Sequence, residues 1–432
     1  MIADTAITET SLTGTPMAAA MITEAAQKLH KPLTLFTPCL PASDRESWEK
    51  LSEDLKARLI KNGEQYLHYE YPSLTAVDFM EFTRSGNRSR YQDRLFARRT
   101  ALDSLVLAEC AEHRGRFLDD IINGLYLICE ENAWQLPAHN SYIRDTPQFP
   151  LPDVTRPVID LFAAETASVL AVAEYLLRSE LKEVSPFLSV MIDHELETRI
   201  FTPYLSEHFW WMGDGKSHMN NWTVWCTQNV LLSAFTRPLP KETQTAILTK
   251  AAGSIDYFLA EYGEDGCCDE GAQYYRHAGL CLFGCLEILN GITDHAFSFA
   301  WEQEKIRNIA SYILNVHVDT VYYVNFADCS PVAGRCNARE YLFGKRTGNQ
   351  ALMEFAASDY QNSEDPLTLD EHNLFYRLQT VFSHEEMMES DRNPVIAHKD
   401  LYYESVGLFI ARGSRLCLAV KGGSRRPSGL RK

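Results

Sequence analysis

Asp265-Gly-Cys-Cys-Asp-Glu-Gly-Ala-Gln-Tyr-Tyr-Arg-His-Ala-Gly279 runs directly into an apolar series, Leu280, Leu282, Phe283, Leu286, Ile288 and Leu289. The change from glycine-punctuated polar residues to helical apolar spacing predicts a turn at Gly266 and Gly271, then a helix over 274–289. Tyr274, Arg276 and His277 then stand on a rigid support at a loop–helix junction, where pockets are commonly lined. The same residues also suit a plain helix start with surface aromatics.

Working outward, the stretch Asp214-Gly-Lys-Ser-His-Met-Asn-Asn-Trp-Thr-Val-Trp225 has the same construction, a polar glycine turn opening an apolar helix. Asn220 or Asn221 serves there as a cap, and amides beside tryptophan faces also suit a carbohydrate pocket. Helical spacing predicts further helices over 101–112, 117–130, 160–177, 186–200, 221–235, 241–262 and 297–316, and one carrying Trp48, Leu51, Leu55 and Leu59. Residues 132–152 read as a loop because prolines interrupt them repeatedly. The arginine-rich stretch 84–99 reads as a solvated connection. Paired helices in series predict a mainly α fold, an (α/α) toroid or superhelix, over residues 43–393. Residues 1–42 read as weakly structured. Residues 394–432 read as the start of a β-region, with strands at 401–410 and 416–420, a turn at Arg412-Gly-Ser414 and a basic tail.

The 432 residues carry a formal net charge of -17, which argues against a nucleic-acid partner. No run reaches the length of a membrane span, and Met1–Thr15 lacks the basic and apolar regions of a secretory signal. Eleven scattered cysteines fit a reducing compartment, so a cytoplasmic location is expected. Cys267-Cys268 lacks zinc spacing, and His194-Glu195 has Thr198 where a zinc-protease helix needs its second histidine.

The ordered motifs resemble the heparinase II/III family of polysaccharide lyases. They are Asn220-Asn-Trp222, Asp265-Gly with Asp269-Glu-Gly and Tyr274, the loop Trp134-Gln-Leu-Pro-Ala-His-Asn140, and Asp160-Leu-Phe-Ala-Ala-Glu-Thr166. The resemblance covers about residues 100–420. It implies an incomplete toroid followed by an antiparallel β-sandwich, with a uronate oligosaccharide held between them and cut by β-elimination. By resemblance Tyr274 is the acid/base and Asn220 neutralises the substrate carboxylate. Asn221 and His218 are near alternatives, and His139 is a substrate-site histidine. Trp222 and Glu270 join the substrate-binding set, with Arg276 and His277 as cations tuning Tyr274.

Those residue types match the chemistry. The proton at C5 of a uronate becomes acidic only when donors hold the adjacent carboxylate, an effect of roughly 3 kcal/mol per donor. A base must take that proton, and an acid must protonate the leaving oxygen. Some relatives hold zinc through the sandwich, but no cofactor is expected here. The sequence departs from the family by ending after its first strands, without the sandwich histidine, as a shortened chain would. Two other readings stay open: a glycoside hydrolase using Asp265, Asp269 or Glu270, and a non-catalytic sugar-binding remnant. Assembly into a homo-oligomer is compatible with all three.

Overall fold

The computed structural model describes residues 10–11, 19–396, 399–413 and 416–422. His398, Ser414 of the expected turn, and the basic tail Ser424–Lys432 lie outside the described residues. The chain is mainly helical, with a small strand region near its C-terminal end. The first part forms α1 (Met21–Gln27), α2 (Arg45–Glu49), α3 (Glu53–Glu64), α4 (Ala76–Ser85), α5 (Ser89–Glu112) and α6 (Leu118–Cys129). Next come α7 (Leu161–Val184), α8 (Phe187–Leu196), α9 (Thr202–Ser206), α10 (Asn221–Phe235) and α11 (Lys241–Glu261). The last group is α12 (Ala272–Tyr275), α13 (Gly279–Ile292), α14 (Glu304–Val316), α15 (Ala338–Thr347), α16 (Gln350–Gln361) and α17 (Leu374–Glu389). Among the described residues no helix is long and apolar enough to cross a membrane.

Contacts between helices form a closed series: α7 packs on α10, α10 on α13, α13 on α15, α15 on α17, and α17 on α7. Leu170, Val230, Leu231, Leu282, Leu286 and Phe343 from these helices are fully buried, each contributing about 1.5–3 kcal/mol of hydrophobic stabilisation. Gly284 sets the approach of α13 to α10, because a Cβ there would fall 1.9 Å from Gln228 Oε1.

The segment before residue 42 carries more order than its composition implies. Ile22 of α1 is fully buried. Residues 34–42 run along helix ends, with Thr34 N donating to Ile292 O, Phe36 N to Phe235 O and Ala42 N to Leu176 O. The first two of those carbonyls close α13 and α10, where no intrahelical donor remains. The stretch 84–99 also differs from the expected solvated connection, since α5 begins at Ser89. Arg98 and Arg99 are buried, and Glu131 accepts from both, the Arg99 pair being bidentate at 2.6 Å. A carboxylate contributed by a distant loop made burial of these arginines feasible, which their local sequence does not reveal.

The strands are β1 (Thr10–Ser11), β2 (His317–Asp319), β3 (Tyr322–Tyr323), β4 (Leu401–Tyr403), β5 (Leu408–Arg412) and β6 (Cys417–Lys421). One sheet has the order β1-β4-β5-β6, with β1 parallel to β4 and the rest antiparallel; β2 and β3 form a separate hairpin. The expected strand 401–410 is therefore two strands, reversed over Glu404–Gly407, where Gly407 takes φ 64°. Leu408 and Ile410 face the core, whereas Leu416, Leu418 and Val420 are exposed.

Candidate functional site

Asp160, fully buried, caps α7: its Oδ1 accepts from Phe162 N and Ala163 N at 3.1 and 2.7 Å. Its Oδ2 accepts from Leu136 N at 3.1 Å and from His139 Nδ1 at 2.7 Å. A carboxylate so placed holds a proton on Nδ1 and, in the neutral ring, leaves Nε2 as the acceptor. His139 ends a single 3-10 turn, Pro137–His139, inside the proline-rich loop. Its ring lies nearly parallel to Phe162, with centroids 6.1 Å apart, and edge-on to Trp222 at 4.7 Å.

At the start of α10 the two asparagines divide the work. Asn220 is the cap, its Oδ1 accepting from Trp222 N at 3.0 Å. That bond fixes the amide and leaves Nδ2 as a donor with no partner among the described residues. Asn221 is buried, donates Nδ2 to Glu270 Oε2 at 3.1 Å, and has an Oδ1 without a hydrogen bond. Burial, reinforced by Asp269, pushes the Glu270 carboxyl up to about 7. His218 is half exposed, and its Nδ1 hydrogen-bonds the Glu261 carboxylate.

Asn220 lies on two hollows. One, of about 270 Å³, includes His139, Arg144, Trp210 and Trp222. The other, of about 480 Å³, is a cleft between the helices and the sheet, with Asn221, Glu261, Asp269, Glu270, Ser405 and Lys421 in its walls. Asp265 fastens that junction, accepting from Cys267 N, Ser405 N and Ser405 Oγ.

Tyr274 sits in the one-turn helix α12, and the expected continuous helix 274–289 is broken after it. Beyond the break, the Tyr275 ring packs against the backbone of Gly279, where a Cβ would lie 2.5 Å from it. His277, in the break, stacks on Trp225 with centroids 4.2 Å apart and planes at 9°. Burial, followed by Arg339, Arg276 and His372, holds its pKa down at about 3. His277 is thus neutral rather than the cation the motif implied. Arg276 is committed to the Arg335 carbonyl and lies 3.6 Å from buried Glu340.

The structure joins these residues through rings. Trp222, His139, Phe162, Trp225, His277 and Tyr274 follow one another in contact, the last pair at 6.1 Å. His218 and Glu270 lie instead on the cleft beside the sheet. No family model and no curated protein matches the chain.

Sequence reading gave no site role to Phe162, Glu165, Arg339 and His372, and named Trp225 only as one of two tryptophans beside the asparagines. The first two stand in the motif 160–166, and Trp225 one turn beyond Asn221, so spacing from the caps would have found them. Arg339 and His372 lie in no motif. Glu165 Oε1 accepts from Asn373 Nδ2 at 2.8 Å, and its Oε2 is 3.8 Å from His372 Nε2. Among the described residues no group of three or more His, Cys, Asp or Glu is placed to hold a metal ion.

Glu165 gives a stability prediction. Burial, opposed by His372, raises its pKa from 4.5 to about 7. Between those values the folded protein keeps a proton that the unfolded chain has released, so stability falls as pH rises. The loss is of the order of 3 kcal/mol, complete above pH about 7. Urea unfolding of Glu165→Gln at pH 5 and 8 should lack most of this loss. Equal pH slopes in variant and wild type would show that Glu165 ionises normally in the folded protein.

Proposed function

We propose that this protein is a lyase that cleaves uronate-containing oligosaccharides by β-elimination, on an incomplete (α/α) toroid with the sheet packed at one side. The closed series of helix contacts supports the toroid reading. One observation carries the function. Asn220 has a fixed amide with a spare N–H donor, in a hollow shared with a histidine whose Nε2 is held as an acceptor. Asn220 Nδ2 binds the substrate carboxylate and favours charge build-up there as the C5 proton departs. The C5–H pair becomes the C4–C5 double bond, the C4–O bond breaks, and the leaving oxygen takes a proton. Tyr274 serves as acid/base in this scheme, and His139 holds the sugar or shares the proton transfer. The domain boundaries expected from the sequence, 1–42, 43–393 and 394–432, belong to this reading, as does a cytoplasmic location with short oligosaccharides as substrates.

A second reading has its own support. Glu270, with its pKa near 7, stands beside Asp269 in the cleft. Glycoside hydrolysis requires a pair of carboxyl groups, of which the acid has a raised pKa as Glu270 does. The two are separated by product. Elimination leaves a double bond conjugated to the carboxylate, which absorbs in the ultraviolet, whereas hydrolysis releases reducing ends without absorbance. Asn220→Ala should lower elimination about 10²–10³-fold, the scale for one oxyanion donor. Reducing ends without absorbance would overturn the lyase reading.

A further inference from the structure

Two further polar side chains, Arg339 and His372, both act on His277 and are not used in the scheme above. Arg339, in the first turn of α15, holds its guanidinium 3.6 Å over the Tyr376 ring. Among the described residues its one hydrogen bond goes to Cys281 Sγ at 3.6 Å, a weak acceptor. No carboxylate lies within ion-pair reach of it among the described residues. Its neighbours on α15 and nearby differ: Arg346 has Glu287, Arg335 has Asp359, and Arg276 has Glu340. Glu340 and Glu371 act on Arg339 from beyond ion-pair reach and help to keep it charged, which leaves its remaining N–H groups open to the acid group of a ligand.

His372 stands at the entry to α17, whose Tyr376 carries Arg339. Its ring is stacked on Phe96 at 4.4 Å and tilted against Phe162 at 6.4 Å. Glu165 Oε2, buried and without a hydrogen bond, lies 3.8 Å from His372 Nε2 and helps fix the orientation of the ring. Phe96, Phe162, Arg339 and His372 are all partly exposed, so a ligand can reach them. A guanidinium and an imidazole, both able to donate, beside two accessible aromatic faces match a six-membered ring bearing an acid group.

We propose that Arg339 and His372, the latter positioned by Glu165, form a second acid-group subsite, separate from Asn220, that binds the carboxylate of a sugar acid lying against Phe96 and Phe162. The inference rests on the uronate reading and adds to it a specificity determinant on α15 and α17. Such a subsite would make a ligand with two acid groups bind better than one with a single acid group.

The test is calorimetric titration with saturated glucuronate, galacturonate and mannuronate oligosaccharides, and with the same sugars after reduction of their carboxyls to alcohols. Arg339→Gln should weaken the acidic sugars at least 10-fold and leave the neutral ones unchanged. Arg339→Lys should recover part of the loss, and His372→Asn should weaken acidic sugars alone; thermal unfolding checks that each variant is folded. In turnover the effect should fall on KM rather than kcat. Wild-type affinity in both Arg339→Gln and His372→Asn, or equal loss for acidic and neutral sugars, would overturn the subsite. Wild-type protein that binds acidic sugars and yields no absorbance would overturn elimination while the subsite stands. Wild-type protein that binds no acidic sugar would overturn both.

Discussion

Tyr274→Phe should reduce the ultraviolet signal of elimination by about 10²–10⁴-fold, the range for a positioned acid or base, and leave oligosaccharide binding nearly unchanged. The substitution removes one hydroxyl and keeps the ring that meets His277 at 6.1 Å. That hydroxyl makes no hydrogen bond among the described residues, so its loss strands no buried partner. Stability should therefore stay within about 0.5 kcal/mol of wild type. Tyr275 provides the contrast one residue on. It is fully buried, and its hydroxyl donates to Ala310 O at 3.3 Å. Tyr275→Phe should cost about 1 kcal/mol of stability and leave kcat alone. Full lyase activity in Tyr274→Phe would make the α12 turn a structural junction and remove Tyr274 from the chemistry.

The helices that the sequence disclosed best are those with both ends marked. Asn220 opens α10 and Pro240 precedes α11, and the predicted spans 221–235 and 241–262 agree with the structure to one residue. The helices after residue 337 were not foreseen. Asn337 and Glu340 form a capping box, and Asn349 and Asn373 are caps, so their starts were written in the chain. Their polar composition, with Arg339, Lys345 and Arg346 in α15, hid the apolar stripe that would have drawn attention to them. The site shows the same division. Motif residues at helix starts could be recognised because turn chemistry is local. Roles set by distant partners could not: Asn373, which holds Glu165, lies 208 residues away. The neutrality of His277 follows from its burial and from Arg339 and His372, which the stretch 265–279 does not contain.

Asp160→Asn separates the two duties that this residue performs. One carboxylate oxygen caps α7 through Phe162 N and Ala163 N, and the other receives Leu136 N and His139 Nδ1. An asparagine can keep its oxygen toward the helix start and preserve the cap. Its amide N–H groups then face two donors, Leu136 N–H and His139 Nδ1–H. Leu136 N loses its acceptor in a buried place, at a cost of about 1–3 kcal/mol. His139 can escape only by moving its proton to Nε2 and accepting at Nδ1 from the new amide. The nitrogen that faced the hollow then becomes a donor and can no longer take a proton. Turnover should fall about 10²–10⁴-fold if His139 shares the proton transfer, and nitrogen-15 shifts of the His139 ring should report the exchanged tautomer. If the amide instead turns its nitrogen to the helix, the cap is lost at about 1 kcal/mol, and His139 keeps its proton on Nδ1. Asp160→Ala removes both duties together and should destabilise more than either orientation of asparagine. An exchanged tautomer with unchanged turnover would confine His139 to binding and leave proton transfer to Tyr274.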